Sequence, residues 1–206
     1  MQDRAQRQDG RTTDTRARIQ AAALQLFTQR GFQNTSLREI ADLLGVTKAA
    51  LYYHFPSKAE LVRSLLQPFI DDVDTFLDDV ETRNLEPRAF FEEYFEMLLP
   101  HRRLSMALLR DATAFAYVDI EAAVVRWVDR VQTLLTGPNA TVTQRIRAVA
   151  AVSGLARCVV MTEFPIEDLR AAAIDAACAA LGVEEQRTVR ADSSESSVQR
   201  DEFGGF

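Results

Sequence analysis

The apolar residues of this 206-residue chain recur at intervals of three and four positions along most of its length. That spacing places them on one face of an α-helix. The first stripe indicates a helix from Thr12 to Gly31, because glycine accepts the left-handed backbone that ends helices. Its buried face consists of Ile19, Ala22, Ala23, Leu26 and Phe27. No alternating strand pattern and no internal repeat accompanies these stripes, so the sequence predicts an all-α protein.

Two short helices with strong end signals follow the first helix. Ser36 and Glu39 have the spacing of a capping box, so a helix begins just after Ser36, and Gly45 ends it. Thr47 is a good N-cap for the next helix, which we expect over residues 48–54. Short helices joined by a glycine turn indicate a helix-turn-helix, formed here by the second and third helices of a three-helix DNA-binding domain.

Helical spacing continues beyond this motif. A fourth helix, capped by Ser57 and Glu60, runs to about Val80, and we expect it to be the only element shared by both halves of the chain. Pro68 lies inside it and predicts a kink, because proline removes a backbone donor. The other predicted helices span residues 87–100, 104–112, 117–136, 141–163 and 165–182.

These elements divide the chain into four parts. Residues 1–11 are polar and predict a disordered arm, and residues 184–206 lack periodicity and predict a disordered tail. Residues 12–60 form the expected helix-turn-helix DNA-binding domain. Residues 61–183 form an expected helical domain for effector binding and dimerisation.

Charge is distributed unevenly between the two halves. Residues 1–63 contain ten Lys and Arg against six Asp and Glu, a net charge of +4, whereas the remainder carries 14 against 24, a net charge of −10. A basic N-terminal part on an acidic body favours a polyanionic partner for the former.

The helix over residues 48–54 carries adjacent aromatic residues that cannot all be buried. Leu51 and Phe55 are expected to face inward, which leaves an outward face suited to a DNA duplex. That face consists of Thr47, Lys48, Ala49, Tyr52, Tyr53 and His54. Phosphate contacts are expected from Lys58 and from the start of the preceding helix, at Thr35, Ser36 and Arg38. Packing of either tyrosine against neighbouring helices remains an alternative.

The segment AAALQLFTQRGFQNTSLREIADLLGVTKAALYYHFPSKAELVRSLL resembles the N-terminal domain of the TetR family of transcriptional regulators. The G-V-T-K turn, the L-Y-Y-H-F run and the following S-K-x-E-L occur in the family's order and spacing. The resemblance implies a dimeric, bacterial, repressor-type protein that binds a palindromic operator in double-stranded DNA and a small ligand in its C-terminal domain. The DNA contacts that it implies are Thr35, Ser36, Thr47, Lys48, Ala49, Tyr52, Tyr53, His54 and Lys58.

The last two predicted helices are apolar around most of their circumference, so more than one surface must cover them. We expect them to form a four-helix interface in a homodimer, as the resemblance also implies. The small residues expected at that interface are Ala148, Ala151, Gly154, Ala172, Ala176 and Ala179. An ordinary buried core helix is the alternative.

Aromatic and methionine residues of the second half can line a cavity for an apolar or aromatic effector. The candidates are Phe90, Tyr94, Met97, Met106, Phe115, Trp127 and Met161. For any one of them, a place in the core is the more common role.

Other classes of protein find little support in the sequence. The only histidines, His54 and His101, lie near no nucleophile motif, and neither a metal-ligand spacing nor a phosphate-binding glycine loop occurs. We therefore expect no catalytic site, cofactor or metal, no membrane helix, and a cytoplasmic location. The alternative function is a helical protein-interaction or ligand-sequestering module whose helix-turn-helix no longer binds DNA.

Overall fold

A computed structural model describes residues 2–117, 121–161 and 163–183, with side chains from residue 14 onward except at 115, 117 and 121. Every regular element in those ranges is helical. The α-helices are α1 (Gln2–Arg30), α2 (Leu37–Leu44), α3 (Lys48–His54), α4 (Lys58–Arg83), α5 (Pro87–Leu98), α6 (Arg102–Arg110), α7 (Glu121–Thr136), α8 (Val142–Val159) and α9 (Ile166–Leu181). Short 3-10 helices at Leu99–His101 and Ala112–Tyr117 flank α6.

Helix α1 begins at Gln2, so the predicted start at Thr12 and the predicted disordered arm over residues 1–11 are corrected. The prediction relied on apolar periodicity, which those residues lack. Gln, Arg and Ala are good helix formers, so a helix can extend through a segment that lacks apolar periodicity. The predicted disordered tail, residues 184–206, lies outside the described residues.

Most helix ends follow from local signals in the sequence. Ser36 and Glu39 form the predicted capping box, and Gly45 ends α2 in the left-handed conformation with φ +66°. Ser57 accepts a hydrogen bond from the backbone of Glu60, but the Glu60 carboxylate turns to Arg63, so only half of that second box forms. A carboxylate forms a stronger hydrogen bond with a cation than with a neutral N–H, so the Glu60 carboxylate pairs with Arg63 and not with the Ser57 backbone.

Several predicted boundaries shift by a few residues. Helix α5 begins at Pro87 and α8 follows a capping box at Thr141, as predicted. Helix α7 is described from Glu121, and its predicted start, residue 117, lies in the preceding 3-10 helix. Helix α8 ends at Val159 rather than at residue 163. Helix α4 is continuous through Pro68, and the kink that this proline predicts stays a prediction.

The buried residues form two clusters, which we call the head core and the body core. The head core lies among α1, α2, α3 and the first turns of α4, and Leu104, Ala107 and Ala114 complete it from α6 and the 3-10 helix that follows. The body core lies among the second half of α4 and α5, α7, α8 and α9. Among the described helices, α4 alone contributes buried residues to both cores, as predicted. Helix α6 lies in the second half of the chain but packs in the head core.

Candidate nucleic-acid interface

Helix α3 presents a buried side and an exposed side, as the sequence predicts. Leu51 and Phe55 are fully buried in the head core. Tyr53 is 79% exposed and Tyr52 is 40% exposed. The Lys48 ammonium lies 5.4 Å from the centre of the Tyr52 ring, a cation–π contact. The two tyrosines therefore present ring faces and hydroxyl groups outward instead of packing in the core.

The start of α3 is equally accessible. The Thr47 hydroxyl accepts a hydrogen bond from the Ala50 N–H at 3.1 Å and thereby caps the helix. Lys48 and Ala49 are exposed in the first turn. His54, at the other end of the helix, is half-buried and packs edge-on to Tyr53 with ring centres 5.3 Å apart. Helix α3 thus offers one cation, two phenols and one small side chain on a single surface.

Arg16 of α1 holds the end of α3, a role that the sequence pattern did not predict. Its guanidinium carbon lies 4.3 Å from the centre of the Phe55 ring, and Nη1 donates to the His54 carbonyl at 3.1 Å. A cation at a helix C-terminus stabilises the unpaired carbonyls and the helix dipole. Only the fold brings a residue of α1 to α3, so no local signal could have identified it.

The start of α2 lies beside α3 and is also exposed. Glu39 accepts hydrogen bonds from the Ser36 N–H and hydroxyl, both at 2.8 Å, and pairs with Arg30 at 3.1 Å. The Ser36 backbone and side-chain hydrogen bonds hold the pKa of Glu39 below its usual value. Arg38 extends into solvent and pairs only loosely with Asp42, at 3.8 Å. Arg38 is therefore available for a phosphate, whereas the Ser36 hydroxyl is already engaged by Glu39.

The Thr35 side chain is buried, so the predicted DNA contact cannot come from its hydroxyl, although the residue lines the cleft beside α2. The side chain is 2% exposed, and its hydroxyl donates to the Gly31 carbonyl at 2.9 Å. It satisfies a carbonyl at the end of α1, so its role is structural. The sequence places Thr35 next to an exposed serine, but burial is decided by how the connection between α1 and α2 folds.

Lys58, at the start of α4, lies across an open cleft of about 680 Å³ from the start of α2. Its ammonium contacts the Gln33 carbonyl at 3.4 Å. Burial lowers the pKa of Lys58, and the nearby carboxylates of Asp111 and Glu39 partly offset that effect. Lys48 and Tyr52 line the same cleft, so it brings together residues from α2, α3 and α4.

The six small residues predicted for a dimer interface separate into two groups. Ala148 and Ala151 are at most 1% exposed, because they pack inside this chain, so they leave the candidate interface. Gly154, Ala172, Ala176 and Ala179 are exposed, as is Ala150, which was not among the predicted residues. Helix periodicity identifies a stripe of small residues, but only packing decides which stripe faces the chain's own core.

A cavity of about 220 Å³ lies in the body between α4, α5, α7 and α8. Tyr94 and Trp127 are the predicted effector residues that line it. The other lining residues are Phe69, Val73, Phe76, Leu77, Val124, Val128, Val131, Gln132, Val149, Val152, Ser153 and Ala156. None of these side chains is charged.

The remaining predicted effector residues do not line this cavity. Phe90 is buried in the body core, and Met97 packs against that core. Met106 lies in a groove between α1 and α6, and Met161 lies in a shallow groove beside α9. The side chain of Phe115 is outside the described residues. Residue type alone cannot separate a cavity wall from a core, since both are apolar.

Trp127 and Tyr94 each bring a polar group to the wall of the cavity. The Trp127 indole N–H donates to Asp74 at 2.6 Å. Burial raises the pKa of the Tyr94 phenol to about 12, so that group stays neutral at physiological pH. Phe69, next to Pro68, packs edge-on to Trp127 with ring centres 6.1 Å apart.

The described residues contain neither a candidate membrane-spanning helix nor a candidate metal site. No helix there is both long and apolar enough to cross a bilayer. No group of three or more His, Cys, Asp and Glu side chains in that part of the chain is arranged to hold a metal ion.

Comparisons with known proteins agree with this geometry. Residues 19–65 match the family model described as bacterial regulatory proteins, tetR family. The chain is 36% identical over 95 residues to the HTH-type transcriptional regulator TtgR of Pseudomonas putida, covering 43% of this chain and 45% of TtgR. It is 28% identical over 133 residues to the HTH-type transcriptional repressor KstR2 of Mycobacterium tuberculosis, covering 58% and 66%. The chain thus spans less than two thirds of either relative.

Solved structures share the fold over a larger part of the chain. The structure of the ketosteroid transcriptional regulator KstR2 of Mycobacterium tuberculosis has a TM-score of 0.67 at 21% identity, covering 82% of this chain and 93% of that one. A transcriptional regulator from Saccharomonospora viridis, solved in complex with choline, has a TM-score of 0.53 at 22% identity, covering 79% and 95%. Residues 19–65, in the head of this chain, therefore belong to the tetR family of bacterial regulatory proteins, and the described chain shares its all-helical fold with solved transcriptional regulators.

Proposed function

We propose that the chain is a repressor of transcription that binds a palindromic operator as a homodimer and is released by a small, uncharged, apolar or aromatic effector. The observation that carries the proposal is the accessible side of α3, where Lys48, Tyr52 and Tyr53 stand together beside the starts of α2 and α4. Repression is taken from the name of KstR2, a repressor in its own organism. The site of action is the bacterial cytoplasm, where the DNA lies.

The chemistry of the head suits the two surfaces of a duplex. Ala49 leaves room for close approach to a groove, and the Lys48 ammonium reaches a base edge or a phosphate. Arg38 and Lys58 flank α3 from α2 and α4 and suit phosphates on either side. The exposed start of α2 adds backbone N–H groups, which favour an anion.

Dimerisation is supported by the exposed small residues of α8 and α9. Ala172, Ala176 and Ala179 recur at four and three positions, so they share one exposed face of α9. Ala150 and Gly154 form the corresponding exposed stripe on α8. Small residues let helices approach closely, and two copies that meet through the same patch form a two-fold dimer. Two identical heads then face one duplex, which requires a palindromic site.

The cavity in the body supports an uncharged aromatic effector. Its walls are valine and aromatic side chains without a charged group, so an ionised ligand would lose its hydration without compensation. A cavity of about 150 Å³ is large enough for benzene, so 220 Å³ suits a ligand with one or two rings. The neutral Tyr94 phenol, Gln132 and Ser153 offer hydrogen bonds that orient such a ligand.

Helix α4 connects the cavity with the head. Phe69, Val73 and Phe76 of α4 line the cavity, whereas Leu61 and Leu66 of the same helix lie in the head core. An effector changes DNA affinity only if it binds one arrangement of the heads better than another. Displacement of α4 at Phe69 supplies such a difference.

The test of DNA binding uses a duplex selected by the wild-type protein from a random-sequence library, with affinity measured by fluorescence anisotropy between 50 and 200 mM salt. Three or four cationic contacts in each half-site predict a log–log slope on the order of −6. Lys48→Ala and Tyr52→Ala should abolish binding without changing thermal unfolding. Arg126→Ala, which removes an exposed charge from α7, is the matched control. A flat salt dependence would instead favour a protein-interaction or ligand-sequestering module.

The test of effector binding uses the fluorescence of Trp127, the only tryptophan in the chain. Uncharged one- and two-ring aromatic compounds should change its emission at saturable concentrations, whereas their carboxylate and ammonium analogues should not. Val152→Phe fills part of the cavity without adding a second tryptophan, so it should weaken the response to two-ring compounds most. Binding of a charged analogue as tightly as its neutral parent would contradict the proposed ligand class.

A further inference from the structure

A chain of contacts runs from the end of α6 to the phosphate side of the head. Asp111, the residue after α6, accepts a hydrogen bond from the Gln33 N–H at 3.0 Å. The Gln33 carbonyl in turn contacts the Lys58 ammonium at 3.4 Å. The backbone of Gln33, in the connection between α1 and α2, is therefore held between the Asp111 carboxylate and the Lys58 ammonium, which is proposed to bind phosphate.

The carboxylate that begins this chain is itself held in place. Its second oxygen accepts the Thr113 N–H at 3.0 Å and also the Thr113 hydroxyl. Both oxygens of Asp111 thus accept hydrogen bonds, one from Thr113 and the other from Gln33. A carboxylate with this set of donors has little freedom to rotate away from Gln33.

The neighbouring residues fit around Asp111 without spare room. Gly31 has φ +84°, and a Cβ built on it would lie 2.8 Å from the Asp111 carboxylate oxygen. Arg110 donates to the Thr28 and Gln29 carbonyls at 3.0 and 3.2 Å, which satisfies the last turn of α1. The end of α6 thereby contacts the end of α1 and the residues just after it, with Arg110 as the donor and Asp111 as the acceptor.

We propose that Asp111 is a positioning residue for DNA binding: through the Gln33 peptide it sets where the Lys58 ammonium stands on the phosphate side of the cleft. This inference rests on the proposed DNA-binding function and adds a residue outside the helix-turn-helix to it. Lys58 alone would have many rotamers, because its four-carbon chain is flexible. A fixed Gln33 carbonyl restricts them before the duplex arrives, so less entropy is lost on binding.

Asp111→Asn provides a test in which positioning of Lys58 and simple electrostatics predict opposite changes in DNA affinity. The substitution keeps the size of the side chain but replaces one acceptor oxygen by an NH₂ group, so the Gln33 and Thr113 N–H groups compete for the one oxygen that remains. Removing a negative charge should tighten DNA binding if only the electrostatic field matters. The proposal instead predicts binding about tenfold weaker. The salt slope should also be smaller by about 1.8, because the Lys58 ammonium no longer meets its phosphate in either half-site.

The controls separate this effect from charge and from folding. Asp14→Asn removes the same charge from another exposed position of the head and should leave the affinity equal or tighter. Asp111→Glu keeps the charge and both acceptor oxygens and should recover part of the affinity. Thermal unfolding of each variant shows whether the head is still folded at the temperature of the binding assay.

A double-mutant cycle identifies the path. Asp111→Asn should add little to Lys58→Ala, because both substitutions act on the same phosphate contact, but it should add fully to Arg38→Ala, which removes a different proposed phosphate contact and leaves measurable binding. In the free protein, hydrogen exchange of the Gln33 amide should become about tenfold faster in Asp111→Ala than in the wild type, since this substitution removes both acceptor oxygens.

Three results would overturn the proposal. They are equal or tighter duplex binding by Asp111→Asn, full additivity with Lys58→Ala, and unchanged exchange at Gln33. If the wild-type protein binds no duplex in a salt-dependent way, the proposed function fails instead, and the exchange measurement still tests whether Asp111 holds the peptide.

Discussion

Thr35→Val tests whether the residue that the sequence predicts to contact DNA is instead a structural part of the head. Valine has nearly the shape of threonine, so the packing of this buried side chain is kept. The Gly31 carbonyl, however, loses the hydroxyl that donates to it at 2.9 Å. An acceptor left unpaired in a buried position costs about 1–3 kcal/mol of folding free energy. In a chain of this length, each kcal/mol lowers the midpoint of thermal unfolding by about 2–4 °C, so a decrease of about 2–12 °C is expected.

The assay combines thermal unfolding by circular dichroism with duplex affinity measured well below both midpoints. Thr35→Val should unfold earlier yet keep the salt slope of the wild type, because no phosphate contact is removed. Thr35→Ser retains the hydroxyl and should recover most of the stability that the unpaired carbonyl costs. A variant with unchanged stability but a smaller salt slope would show that Thr35 reaches the duplex, and the reasoning from burial would then be refuted.

Three further predictions concern assembly, the joint between head and body, and pH. Ala176→Arg should shift the sedimentation of the protein from dimer to monomer, whereas Ala171→Arg, exposed on α9 but outside the small-residue stripe, should stay dimeric. Gly31→Ala should lower the unfolding midpoint more than Gly45→Ala. Both glycines have positive φ, where an L-residue costs about 1–2 kcal/mol, but only Gly31 meets a neighbour, Asp111, within 4 Å of an added Cβ. The Thr113 hydroxyl, followed by backbone N–H groups, holds the pKa of Asp111 below its ordinary value, so its contribution to stability is present above that value and lost as pH falls through the folded-state pKa. Acid titration of unfolding from about pH 5 to pH 2 should therefore destabilise the wild type more than Asp111→Asn, and parallel curves would contradict this.

The amino-acid sequence by itself determined the two short helices of the head, α2 and α3, and their ends. Ser36, Glu39, Gly45 and Thr47 act through hydrogen bonds and backbone preferences that reach no more than four residues, and the structure confirms each of them. The inward side of α3 was also predictable, because helical spacing places Leu51 opposite the exposed tyrosines.

Other features could not be predicted because they depend on which surfaces meet. Thr35 and Ala151 look accessible in the sequence, but both are at most 2% exposed, Thr35 in the folded connection between α1 and α2 and Ala151 in the body core. Aromatic residues of the body are equally suited to a core or to a cavity wall, and only packing assigns Phe90 to the first and Tyr94 to the second.

The sequence therefore determined that the described part of this chain is helical, where α2 and α3 begin and end, and which face of α3 is exposed, since these properties arise from short-range hydrogen bonding and apolar periodicity. The tertiary structure alone decided that α6 completes the head core, that Arg16 caps α3, and that Asp111 reaches Gln33. Those contacts join residues tens of positions apart, and no local pattern in the chain records the distance between them once it is folded.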